Sequence, residues 1–240
     1  GQAETTFAGL KTTTTRTDRL INLSSRVRVG AGRTLITGFV VGGTTPKRVV
    51  LRAVGPTLSG FGVTGALANP RLQLFDATGK VIAENDDWSG ADTTAAMAQV
   101  GAFGLTAGAK DAALLVTLAP GAYTMQVAEV AGEGVALAEI YDASVNPAAE
   151  DQRLVNIAGR GTVTPGDGAL IGGFVVTGNS PKTLLIRGIG PALTAFGVAG
   201  ALADPELTIY QDSKVITTNE GWANSAAIAA AAIKTGAFAL

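Results

Sequence analysis

The sequence predicts an all-β protein of two tandem Ig-like or jelly-roll-like β-sandwich repeats, each with one short Ala-rich helix, the second lacking its closing strands. Three observations carry that expectation. The stretch from Gly38 to Gly62 returns from Gly173 to Gly197 with the same order of Gly-Phe-Val-Val, Pro-Lys, an apolar run ending in Arg, Gly-Pro and Phe-Gly, and a long internal period of this kind marks a repeat architecture. Short apolar runs recur between Gly- and Pro-rich turns, the spacing of strands rather than helices. A hydrophobic share of 47% with 32 Gly and only 5% aromatic residues implies a core of small and β-branched side chains crossed by many turns.

Residues 1–18 precede the repeats as an extended N-terminal arm. Thr5, Thr6 and Thr12 to Thr15 favour extended backbone, and Phe7 and Leu10 are its large apolar anchors. Thr5, Thr6, Phe7, Ala8, Gly9 and Leu10 are therefore the candidate residues for donating a strand to another subunit. The plainer alternative is a Thr-rich leader, the usual behaviour of a terminus.

The first repeat spans 19–142, a linker covers 143–152, and the second repeat runs from 153 to 240. Arg19-Leu20-Ile21-Asn22-Leu23 opens the first and Arg153-Leu154-Val155-Asn156-Ile157 the second. Strand-like runs follow at 35–41 and 49–54, joined through Gly42 to Pro46 by a hairpin or a sheet-crossing connection. Leu72, Leu74, Val81 and Ile82 flank a second turn, and 91–103 reads as a helix that Asp92 could cap, with its copy at about 225–238. Runs at 112–118, 123–130 and 135–141 close the first repeat, with Tyr123, Met125 and Val127 alternating as one buried face requires. Leu240 aligns with Leu105, so the counterparts of these closing strands are missing from the sequence. A sandwich without them would expose apolar interior and unpaired edges, which invite pairing with another chain; a longer polypeptide is the alternative.

Composition removes several function classes. The net charge of -1 supplies no long-range attraction for nucleic acid or anionic membrane. Cysteine is absent, so neither disulfides nor thiolate metal sites arise. Mean hydropathy is +0.32, yet no apolar run approaches the roughly 20 residues of a spanning helix. No segment has the form of an export signal, so any such signal is expected to have been removed or never present. Histidine is absent too, which takes away the commonest general base, the Ser-His-Asp arrangement and imidazole ligands.

The remaining candidate chemistry is sparse, and no enzyme is expected. Glu84, Asp86 and Asp87 beside Trp88 would suit a carboxylate pair, but the second copy carries Glu220 and Gly221 there. Asn85, Asp86, Asp87 and Trp88 form a possible calcium or glycan loop, since calcium prefers such oxygens; otherwise they are solvated turn residues. Trp88 and Trp222 could stack on sugars or serve as packing residues. Arg52 and Arg187 each end an apolar strand before Gly-Pro and are read as structural arginines that satisfy loop carbonyls. The Gly-rich loops lack the context of a phosphate cradle. Asn22-Leu23-Ser24 matches the glycosylation pattern at Asn22. Basic residues Lys11, Arg16, Arg19, Arg26, Arg28 and Arg33 crowd the start and acids 76–92 a later segment, which could steer head-to-tail contact between copies.

Leu72, Leu74, Asp76, Gly79, Asn85, Asp86 and Asp87, with Pro120, Gly121, Tyr123 and Val127, resemble the pre-peptidase C-terminal type of β-sandwich module on secreted bacterial proteins. The pattern from Arg52 to Leu58 with Phe61 and Gly62 is similar to tandem repeats of large bacterial extracellular and surface proteins. An arm at one end and an incomplete repeat at the other resemble, in design, pilins assembled by donor-strand complementation. The arm could supply one long strand or two short ones, whereas the gap is three strands wide. These resemblances imply a bacterial extracellular or cell-surface location and a fibre subunit polymerising head-to-tail by strand donation, its partner being itself. The alternative is a carbohydrate-binding or adhesive module of a longer surface protein. No cofactor is expected beyond the possible calcium.

Overall fold

The computed structural model describes residues 18–145, 151–164 and 168–240. The chain divides into two compact units at Pro181/Lys182. The proposed strand-donating residues 5–10 lie outside the described residues.

The described residues are mostly β. In the first unit β1 (Arg19–Gly30), β2 (Leu35–Gly42) and β3 (Lys47–Val54) are followed by a 3-10 turn at Pro56–Phe61. Next come β4 (Pro70–Phe75), β5 (Val81–Asn85), helix α1 (Ala91–Gln99), β6 (Ala112–Leu118), β7 (Gly121–Glu129), β8 (Glu133–Asp142), β9 (Arg153–Arg160) and β10 (Ile171–Thr177). They form one antiparallel sheet in the order β5-β4-β7-β2-β9-β1-β8-β3-β6, with β10 paired to β1. The sheet curls almost to closure: Asn85 at the end of β5 accepts through Oδ1 from the Ala113 amide of β6 at 2.9 Å.

Alternation decides which side chains enter the interior. Leu35, Thr37, Phe39 and Val41 of β2 are buried while the residues between them are partly exposed, as a strand with one covered face requires. β3 is buried on both faces. One face looks into the sheet; Val50 and Val54 on the other pack with Leu58, Ala96, Met97 and Leu105 under α1. Each buried Val, Leu or Met among them contributes roughly 1.5–3 kcal/mol on removal from water.

Several connections differ from simple hairpins. Asp76 to Lys80 does join a paired hairpin, β4 with β5. The segment 42–46 crosses between sheet positions, because β3 pairs with β6 and β8 and not with β2. Pro120–Gly121 likewise leads from β6 beside β3 to β7 between β2 and β4. The N-cap of α1 is Gly90, without a side-chain cap; Asp92 lies in the first turn instead, where a carboxylate suits the helix dipole.

The central feature is an interlock between the repeats. β1 and β2 are tied at a tight turn, Gly30 and Arg33 exchanging backbone hydrogen bonds at 2.9 and 3.1 Å, with Ala31 and Gly32 at positive φ as a two-residue hairpin loop demands. Beyond the turn the two strands part, and each pairs with a strand of the second repeat. β2 takes β9 with Gly38 opposite Ala158, Phe39 opposite Ile157 and Val41 opposite Leu154. β1 takes β10 with Ser24 opposite Gly173, Leu23 opposite Phe174 and Leu20 opposite Val176. Under the repeat correspondence these are the same pairs. The irregularity between Leu20 and Asn22 matches the one between Val40 and Val41, each skipping the equivalent residue, Ile21 or Val155. Leu20 pairs with Leu154, its own counterpart, so a pseudo-twofold passes between them.

The second unit, Lys182–Leu240, contains a 3-10 turn at Pro191–Phe196, the hairpin β11 (Leu207–Gln211) with β12 (Lys214–Asn219), and helix α2 (Ala226–Thr235). These are counterparts of the first 3-10 turn, of β4 and β5, and of α1. Each is built on local backbone hydrogen bonds. Within the counterpart of β3, residues 183–189 are in no strand pairing among the described residues. In this unit Ala232 is the one buried hydrophobic side chain among the described residues.

Candidate functional site

Two features stand apart from ordinary scaffold: the outer edge of β10 and an arginine cage that occurs twice. β2 and β10 occupy corresponding places in the repeats. The outer edge of β2 is covered by β7, from Leu35 opposite Val127 to Val41 opposite Gly121. Among the described residues β10 pairs with β1 alone. Ile171, Phe174, Val175 and Val176 are 49%, 43%, 47% and 37% exposed, whereas Phe39, the counterpart of Phe174, is 1% exposed. An unpaired strand edge with apolar side chains is a template for a further strand.

The first arginine cage is complete. Arg52 is fully buried on β3 and donates from Nε and Nη2 to Glu139 Oε2 on β8 at 2.8 and 2.5 Å, and from Nη1 to the Phe103 carbonyl at 2.6 Å. Its guanidinium lies 4.2 Å from the centre of the Phe103 ring, which packs on Phe61 at 4.7 Å. The Tyr141 hydroxyl donates to the other Glu139 oxygen at 2.8 Å. Sequence reasoning anticipated that Arg52 binds a loop carbonyl; it did not single out Glu139, because the register pairing β3 with β8 joins residues far apart in the chain.

Burial, and then the neighbouring Glu139 charge, push the Tyr141 hydroxyl well above its ordinary value of 10.0. The folded state therefore keeps a proton that the unfolded chain releases, and this contribution is present below about pH 10 and lost as pH rises further. Tyr141→Phe is expected to flatten the decline of stability in alkali, measured as urea midpoints at about pH 8 and about pH 11 beside the unmodified protein. An unchanged slope between the two would contradict the assignment.

The second cage repeats the first through half of its contacts. Arg187 Nη1 donates to the Phe238 carbonyl at 2.7 Å, its guanidinium lies 4.6 Å from the Phe238 ring centre, and Phe238 packs on Phe196 at 4.6 Å. The backbone around it is the same. A Cβ on Gly55 would strike the Leu67 carbonyl and one on Gly190 the Leu202 carbonyl, so glycine is required where each loop folds back on itself. Partial withdrawal from water lowers the Arg187 pKa from its ordinary value.

Asn85 spends its side chain on the Asp87 carbonyl and the Ala113 amide. Asn219 makes the matching bond to the Gly221 carbonyl at 2.9 Å. Asp86 and Asp87 remain exposed, and among the described residues no group of three or more acidic side chains could hold a metal ion. Trp88 is half-buried against the cluster under α1 rather than presented as an open stacking face. Asn22 sits within β1 between Tyr141 and Val175, paired on both edges, unlike the surface loop that a glycan acceptor needs.

The basic cluster at the start is partly consumed within the fold. Arg28 and Arg33 both bind Glu133, at 3.3 and 2.8 Å. Arg19 faces buried Asp142 at 3.5 Å, and Lys47 meets the same carboxylate at 2.6 Å. Buried Asp111, unremarked in the sequence, accepts from the Gly55 amide at 2.8 Å and from the Thr57 hydroxyl at 2.5 Å. No protein-family model and no curated protein matches the chain.

Proposed function

We propose that the chain is a structural subunit of a bacterial extracellular or cell-surface fibre, built from two repeats of one sandwich type and polymerising head-to-tail by β-strand donation. The observation that carries this reading is the reciprocal interlock, in which β1 and β2 of one repeat pair with β10 and β9 of the other in matching register. Strands of this repeat thus pair across repeat boundaries, and the outer edge of β10 offers a further position of the same kind. A contact made by an arm at one end and an open edge at another is heterologous, and one whose rotation does not close generates a filament. Main-chain hydrogen bonds would supply affinity, and the apolar side chains of β10 the register. In this reading Thr5, Thr6, Phe7, Ala8, Gly9 and Leu10 are the donor residues.

The test is sedimentation and negative-stain microscopy of the purified chain over a range of concentrations. Concentration-dependent filaments are expected, and they should shorten or vanish on deletion of residues 1–18 or with Val175→Lys, which places a charge on the exposed edge strand. Monodisperse monomers at every concentration, indifferent to both changes, would overturn the proposal.

A further inference from the structure

The two arginine cages differ in one respect. Around Arg52, every guanidinium nitrogen has a partner, and two of the three meet the carboxylate of Glu139. Around Arg187, the carbonyl contact, the stacked ring and the second ring are in place, and among the described residues Nε and Nη2 make no hydrogen bond. The segment that carries Arg187 keeps the sequence of a strand, Lys182-Thr-Leu-Leu-Ile-Arg-Gly-Ile beside Lys47-Arg-Val-Val-Leu-Arg-Ala-Val. Ile186 is 36% exposed where its counterpart Leu51 is 0%. The cage is thus preformed on one side and open on the side that β8 occupies in the first repeat.

We propose that residues 183–189 are the acceptor for an antiparallel strand of the β8 type that carries a carboxylate opposite Arg187. The inference rests on the reading of the chain as a strand-accepting subunit and names the chemistry of one accepted strand. In the first repeat Arg52 lies directly opposite Glu139, with Leu51 opposite Ile140 and Val50 opposite Tyr141. The same register sets the acid of the incoming strand at Arg187, an apolar residue at Ile186 and a ring at Leu185. One oxygen of the acid would accept from Nε and Nη2, as Glu139 Oε2 does from Arg52, and a charge-assisted bond is stronger than a neutral one. A ring two residues beyond the acid would hold its second oxygen, as the Tyr141 hydroxyl does. An incoming strand without the acid would cover the guanidinium and leave its charge unpaired, which selects against apolar segments.

The probe is a synthetic peptide with the sequence of residues 133–142, added to the full chain and followed by fluorescence anisotropy and amide hydrogen exchange. Saturable binding is expected, with new protection at 183–189. The same peptide with Glu139→Gln should bind about tenfold more weakly, as loss of a hydrogen-bonded charge pair predicts. Arg187→Met in the protein should erase the difference between the two peptides. Because the Gln peptide needs no change in the protein, a folding defect in the Arg187 variant would leave the comparison intact. Equal binding of both peptides would overturn the carboxylate requirement while leaving strand acceptance standing. Absence of binding, or protection outside 183–189, would overturn the acceptor itself, whatever microscopy shows of filaments. Tighter binding of a peptide of residues 1–17 at the same segment would overturn the β8-type occupant in favour of the arm.

Discussion

Leu154→Asp is expected to strip amide protection from β2 in the other repeat. Leu154 is 2% exposed and sits opposite Val41 and Leu20 at the pseudo-twofold. Emptying a buried Leu site costs about 2–5 kcal/mol, and an unpaired carboxylate in the same place adds its own desolvation. Because β9 lies between β2 and β1, the damage falls on the first repeat as much as on the second. Hydrogen exchange read by mass spectrometry would show faster exchange across Leu35–Gly42 and Arg19–Gly30. Two independently folded repeats would leave β2 fully protected, and that outcome would contradict the interlock.

The second large effect belongs to the complete arginine cage. Glu139→Leu is expected to destabilise the first unit by about 3–5 kcal/mol, since it leaves a buried guanidinium without its carboxylate. Replacing both partners, Arg52→Met with Glu139→Leu, should recover most of that loss, because no uncompensated charge remains. Urea unfolding of the four proteins in the cycle measures both statements. Additive losses would mean that Arg52 and Glu139 act separately, against their direct contact. The Phe103 carbonyl bonded to Arg52 adds to the expectation, since it too loses its donor in the double variant and limits the recovery.

Much of the site was invisible to residue-by-residue reading for a physical reason. Arg52 announced itself because a charge at the end of an apolar run must find partners. Glu139 did not, since an acid in a run such as Leu137-Ala138-Glu139-Ile140-Tyr141 is equally compatible with an exposed strand face. Asp111 shows the same ambiguity: it looks like a loop residue, yet it is fully buried and organises the turn at Gly55 and Thr57. Trp88 was open between a sugar platform and packing, and the cluster under α1 accounts for it as packing.

Local pattern was sufficient for the β-rich class, for nearly every strand position, for both helices and for the duplication. Alternation, turn residues and helix propensity act over a few residues, and a single chain carries them in full. Pairing was another matter. β1 and β9 are copies, as are β2 and β10, so a strand of either repeat presents the same alternation and the same bulge to a partner from its own repeat or from the other. Sequence pattern is degenerate between those two arrangements. The tertiary structure chose the exchanged one, closing β1 on β10 and β2 on β9 about Leu20 and Leu154, because only chain connectivity and the packing of the whole sheet separate pairings that are locally equal.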